Sequence, residues 1–305
     1  MRSALPLLIV LALLVAGFGL ASEHFLSMAT ARAMASQLPA SIMLATGLTL
    51  VLIAGGIDLS VGSVLGLCGA VLGYLMVSHQ WPVPAAVAAC LAVGLGVGLL
   101  SGCVTVAWSV PSFIVTLGML EIARAACYLV TDSRTLYVGA PIEPIAAASV
   151  GGVSLAFVGA VLLVVATDLV LQRTVFGRRV VAIGDNPRAA WAAGVDPRPI
   201  RVATFAISGA LAALAAVVHT SRLASADPNA GNGFELQAIA AVVIGGTSLL
   251  GGQGSAFGSL LGTLVIAVLG AGLAQAGAQE PVKRLVTGAV IVAAVAIDAW
   301  RRRDP

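Results

Sequence analysis

The chain has 305 residues, of which 59% are hydrophobic and 10% charged, and its net charge is +3. Soluble domains carry roughly 25% charged residues, so a water-soluble globule is excluded. The small positive balance does not call for nucleic acid, because the basic residues, all Arg except Lys283, gather in segments between apolar runs.

A membrane helix needs about 20 apolar residues. Uncharged or nearly uncharged runs occur at 4–21, 38–57, 59–78, 83–107, 112–131, 150–167 and 202–221. The stretch 236–279 carries no charge and is long enough to cross twice, with a break at 245–254. A last run, 285–299, closes the chain. The expectation is an all-α, polytopic membrane protein forming one transmembrane domain over 1–305, with about ten crossings at ~20 residues each and Gly-rich breaks. A re-entrant segment within 236–254 stays open. So does cleavage of the first run as a leader, since Gly19-Leu20-Ala21 has the small residues of a cleavage site.

Arg and Lys favour the cytoplasmic side of short loops. The loop 172–200 carries Arg173, Arg178, Arg179, Arg188 and Arg198, and the C-terminus carries Arg301, Arg302 and Arg303. Both are expected inside, and an even number of crossings then puts Arg2 inside too. Lys283 and Arg284 fall outside, against the rule but outnumbered. The outer segments are 22–37, 79–83, 132–149 and 222–235, and Trp81, Tyr137 and Trp300 fall near predicted interfaces.

The first unusual element in chain order is Gly55-Gly56-Ile57-Asp58-Leu59-Ser60-Val61-Gly62-Ser63. It sets a carboxylate and two hydroxyls between apolar runs, where a charge costs about 2.5–3.5 kcal/mol on insertion scales. Broken backbone at membrane depth must line a cavity or be wrapped in protein. Asp58, Ser60 and Ser63 therefore either meet a solute or stabilise a break, with Asp58 capping the next helix. A related pattern recurs at Ile244-Gly245-Gly246, Leu249 and Gly254-Ser255, with Thr247 and Ser248 in the second break.

Pro111-Ser112-Phe113-Ile114-Val115-Thr116-Leu117-Gly118 opens the fifth helix. Glu121 and Arg124 follow at i,i+3 spacing on one face. They are read as a path-lining pair or an ion pair between helices.

In the loop, Asp185 or Asn186 can cap a short helix, Pro187 suits its first turn and Gly194 can end it. A short helix across the inner face, carrying Ala189, Ala190 and Trp191, suggests docking on a partner. The alternative is rest on lipid headgroups. In the outer segment, Arg222, Asp227 and Glu235 bracket a polar turn-rich stretch, and are read as a docking rim or, for Glu235, a helix cap.

No Gly-x-x-x-x-Gly-Lys-Ser/Thr loop exists, and the single lysine follows Val282. The chain thus has no such grip on ATP, no nucleophile–base arrangement and no sign of a cofactor. Cys68, Cys90, Cys103 and Cys127, with three scattered histidines, lack metal-ligand spacing.

Taken together, 55–63, 111–118, Gly184-Asp185-Asn186 with Ala189-Ala190 and Gly194, and Gly233–Ser255 resemble the permease subunit of bacterial ABC importers for monosaccharides. That is the ribose/xylose/galactose-type branch of a superfamily that also holds branched-chain amino acid and autoinducer-2 permeases. The resemblance implies a type II importer fold in the bacterial inner membrane and import of a pentose or hexose. It implies two cytoplasmic ATP-binding subunits, a second permease subunit, and a periplasmic or lipid-anchored sugar-binding protein. It makes 172–200 the coupling loop, with Gly184, Asn186, Ala189, Ala190 and Gly194 its marked residues. The family commonly has Gly after Arg124 and then a Thr-Asn/Asp-Gly turn. Here Ala125 and Thr131-Asp132-Ser133-Arg134 stand instead, so the outer 132–149 segment departs from the pattern. An autoinducer-2, polyol or amino acid permease of the same kind, an ion-coupled carrier using Asp58 or Glu121, and a passive facilitator stay open as alternatives.

Overall fold

The computed structural model describes residues 4–301. The side chains of Ala4, Glu280, Ile291 and 294–301 fall outside that description, as do Arg2, Arg302 and Arg303 of the charge asymmetry. The helices are α1 Ala4–Ala21, α2 Met28–Ile53, α3 Val61–Val77, α4 Val83–Ala107, α5 Ser112–Thr131, α6 Pro144–Ala147 and α7 Leu155–Arg173. They continue with α8 Val175–Asp185, α9 Pro187–Ala192, α10 Pro197–Leu223, α11 Phe234–Ile244, α12 Ala256–Gln275 and α13 Glu280–Arg301. Two short antiparallel ladders pair β1 (Leu136–Tyr137) with β4 (Ser225–Ala226) and β2 (Ser149–Val150) with β3 (Val153–Ser154).

Among the described residues, six helices are long and apolar enough to cross a membrane: α2, α4, α5, α7, α10 and α12. The apolar parts of α1, α3 and α11 are shorter. The first of the two passes expected in 236–279 is short, because α11 has only 11 residues. At 1.5 Å per residue it covers about 16 Å, roughly half a hydrocarbon core.

Helix α2 is the axis of the bundle, packed by α7, α10, α11 and α12. Leu44, Leu48 and Leu52 on it are fully buried. Its neighbour α10 crosses α4 closely because Gly94, Gly98 and Gly102 follow at every fourth position. A Cβ at Gly94 or Gly98 would strike the carbonyl of Gly209 or Phe205. This is the small-residue contact by which membrane helices pack without a hydrophobic driving force.

The bundle has two ends. At one, Ile53, the α4–α5 turn, α8, α9 and the turn 245–255 gather. At the other are the β1–β4 ladder and the link from Gln275 to Thr30, where Gln275 Nε2 donates to Thr30 Oγ1 at 2.7 Å. They are called here the α8–α9 end and the ladder end.

Candidate translocation and coupling site

Two passes through the bundle join a stretch of irregular chain to a helix, and they lie side by side. The first leaves α2 at the α8–α9 end, runs as non-helical chain through 54–60, and becomes helical in α3. The second enters from the ladder end, runs irregularly from Asp227 to Gly233, and becomes helical in α11. Glycines along α3 show the descent. Gly73 faces Ala226, whereas Gly62 faces Gly231 and Glu235. These glycines are eleven residues apart, about 16 Å along a helix. The segment after β4 therefore dips deep beside α3 before α11 begins.

The first break is held by side chains from two other helices. Asp58 is 3% exposed. Its Oδ1 accepts from the Ser60 amide at 3.0 Å and the Ser60 hydroxyl at 2.6 Å, and its Oδ2 accepts from Ser208 Oγ on α10 at 3.0 Å. Ser112 Oγ accepts from the Ile57 amide at 2.9 Å. Thr116 Oγ1 accepts from the Leu59 amide and donates to the Ile57 carbonyl, both at 3.1 Å. The amides that a helix would have satisfied internally are thus satisfied from outside. Ser63 is buried on the first turn of α3.

Helix α5 also holds the second irregular segment. Arg124 Nη1 donates to the carbonyls of Pro228 and Ala230 at 2.8 Å each, and Tyr128 Oη donates to Asn229 Oδ1 at 2.9 Å. Ser112, Thr116, Arg124 and Tyr128 share one face at spacings of four and eight, so a single polar stripe on α5 braces both breaks. Glu121 and Arg124 do not bridge each other: Arg124 Nη1 turns to carbonyls and Glu121 is exposed.

Beyond α11, the turn 245–254 is stitched by Thr247 N to the Val242 carbonyl at 3.1 Å and Ser248 N to the Gln253 carbonyl at 2.9 Å. Ser248 Oγ accepts from the Leu250 amide at 3.1 Å. Thr247 Oγ1 is buried without a partner. Asp168 on α7 accepts from the amides of Ala256 and Phe257 at 2.7 and 3.3 Å, capping α12 from another helix.

The two Gly-rich breaks meet at α8. The Gly252 amide donates to the Ile53 carbonyl at 2.9 Å. A Cβ at Gly184 would overlap that same carbonyl and stand 2.6 Å from the Gly252 amide, and one at Gly251 would stand 3.0 Å from the Gly55 Cα. Gly184 is therefore an internal joint between the loop and both breaks, not an outward docking residue.

Helix α9 forms as its residues dictate. Asn186 Oδ1 accepts from the amides of Arg188 and Ala189 at 3.1 and 3.0 Å, Pro187 takes the first position, and Gly194 at φ +82° closes the end. Ala190 is buried, while Ala189 and Trp191 are exposed.

Of Arg222, Asp227 and Glu235, the last turns away from the surface. Arg222 is exposed at the end of α10, and Asp227 Oδ1 accepts from the Asn229 amide at 2.8 Å. Glu235 turns inward: its Oε1 accepts from the Gly233 amide at 3.2 Å, and its Oε2 is buried against Gly62 without a partner. Four residues that hold the site escaped the sequence reading of roles: Ser112, Thr116, Asp168 and Ser208. The signal for Asp168 was a lone acid closing an apolar run.

Residues 30–295 match the family described as branched-chain amino acid transport system / permease component. The D-allose transport system permease protein of Escherichia coli (strain K12) is 35% identical over 292 residues, covering 95% of this chain and 89% of the relative. The ribose import permease protein of Haemophilus influenzae is 36% identical over 297 residues, covering 96% and 92%. The fructose import permease protein of Rhizobium meliloti is 34% identical over 314 residues, covering 99% and 86%. No solved structure matches the chain.

Proposed function

Because the chain belongs to the family of branched-chain amino acid transport system permease components, we propose that it is the membrane-spanning subunit of an ATP-driven importer for a monosaccharide. It is a transport subunit, not an enzyme, and a multi-pass protein of the bacterial inner membrane. Relatives named for D-allose, ribose and fructose favour a pentose or hexose as cargo.

The observation that carries the reading is the joint at Gly184, where the α8–α9 loop contacts both broken crossings. A loop that only linked two spans would have no need of it. In this reading α9 seats on a cytoplasmic ATP-binding subunit through Ala189, and both termini share that side. ATP binding and hydrolysis in the partner move α8, and with it the breaks at 54–60 and 245–254. The path then alternates between inward- and outward-open states. Solute passes beside the breaks, where Asp58, Ser60, Ser63, Thr247 and Ser248 supply shape and polarity. A second permease subunit, the same or similar, completes the path. A sugar-binding protein meets the ladder end, where Arg222 and Asp227 remain available and Glu235 does not.

Co-expression with the ATP-binding subunit tests this. Ala189→Arg places a charge on the exposed face of α9. The permease should fold and insert normally, yet fail to co-purify with the ATPase and lose uptake of labelled monosaccharide. Normal co-purification and uptake would remove α9 as the coupling element. Uptake that survives complete ATP depletion would support an ion-coupled carrier.

A further inference from the structure

We propose that the cleft between the α4–α5 turn, α9 and the start of α10 binds an anionic phosphate group, carried by a phospholipid of the leaflet that the α8–α9 loop faces. The proposal rests on that loop being cytoplasmic. The cleft holds about 580 Å³, within the size of small-ligand sites. Arg188, Arg198, Arg201 and Trp191 line it, over a floor of Gly55 and Phe205. Among the described residues no Asp or Glu lines it.

Three guanidiniums lining one cleft favour the entry of an anion. Arg201 lies one turn inside α10, and its Nε is buried with no acceptor. The Arg198 guanidinium stands 5.3 Å from the centre of the Trp191 ring, a cation–π contact that restrains it. Planar guanidinium forks match phosphate oxygens in geometry as well as charge. A neutral monosaccharide offers no charge for them, so the cleft suits a ligand other than the cargo.

The lipid source follows from position. Trp108 and Phe113, which flank the lining residues Ser109 and Ser112 in the chain, are 71% and 47% exposed. They give acyl chains an apolar surface beside the cleft. Basic pockets between membrane helices at the cytoplasmic boundary are the usual place for anionic headgroups.

Native mass spectrometry of the purified full chain tests the proposal, with phosphatidylglycerol and phosphatidylcholine offered in equal amounts. The wild type should retain phosphatidylglycerol preferentially. Losing one charge-assisted fork, in Arg201→Gln or Arg198→Gln, should cut the preference roughly tenfold. Arg198 is exposed, so its variant decides the matter should Arg201→Gln fail to fold. Displacement of the lipid by soluble glycerol phosphate would show that the phosphate alone is recognised. Resistance to it would assign the site to intact lipid. Equal retention of both lipids by the wild type, or an unchanged preference in Arg198→Gln, overturns the proposal. So does Arg198→Glu keeping the lipid preference while releasing the ATPase subunit, which would give the arginines to a protein partner. No transport step enters the readout, so failure here leaves the importer reading standing.

Discussion

The two broken crossings differ in how completely their polar groups are satisfied. In the break at 54–60, both Asp58 oxygens are bonded and the Ile57 and Leu59 amides are held by α5. Around α11, Glu235 Oε2 and Thr247 Oγ1 are buried with no partner. A fully satisfied buried network fixes one geometry, whereas an unmet group costs about 1–3 kcal/mol. The first break is thus built to keep its internal geometry and to travel as one rigid piece. The second holds valence that another state, or a passing hydroxyl-rich solute, can fill. The lesson is that two similar Gly-rich sequences can serve as a rigid piece and an adaptable one, and the partners on neighbouring helices decide which.

The largest expected effect is on the rigid side. Asp58→Ala removes the acceptor for Ser60 N, Ser60 Oγ and Ser208 Oγ, at about 1–3 kcal/mol for each donor left unpaired. Folded protein in the membrane, measured by size-exclusion of a fluorescent fusion, should fall steeply. Asp58→Asn keeps an oxygen for Ser60 and gives Ser208 a donor to accept from, so abundance should stay near normal. A loss of uptake per folded molecule in Asp58→Asn would break the comparison by making the charge itself part of the path.

A middle effect is expected where α5 grips the second segment. Arg124→Gln loses at least one of two carbonyl contacts, about 1–3 kcal/mol. Hydrogen exchange should rise in 227–233 and stay unchanged in 54–60. Equal loosening of both segments would mean that α5 moves as one piece with them.

The smallest effect on stability is the most discriminating. Thr247→Val removes a buried hydroxyl that bonds to nothing. The thermal midpoint should hold or rise, with stability changed by less than about 1 kcal/mol, while the uptake rate falls. Unchanged uptake would show that this hydroxyl finds no partner in any state, and the contrast between the breaks would lose its functional content.

What the sequence made legible was local. The break at 55–63 and the α9 boundary at Asn186, Pro187 and Gly194 are written in neighbouring residues, because caps and turns act over two to four positions. The partners that hold the breaks were not legible. Ser208 meets Asp58 across 150 residues of chain, and Asp168 meets Ala256 across 88, with nothing in the local spacing to join them. The half-length of α11 was hidden because 236–254 is uncharged throughout, and hydropathy does not separate helix from extended chain wrapped in protein. Glu235 read as a rim charge for the same reason: the descent of 227–233 beside α3 depends on Gly62, far away in sequence.

The joint at Gly184 has a mechanical consequence. Where side chains meet, a small push is absorbed by a change of rotamer, and the far partner need not move. At Gly184, Ile53 and Gly252 it is main chain that meets main chain, with no rotamer to give. A displacement of α8 by a fraction of an ångström must therefore appear at the end of α2 and in the turn after α11 together and without slack. Two elements separated by nearly two hundred residues of chain share one stroke.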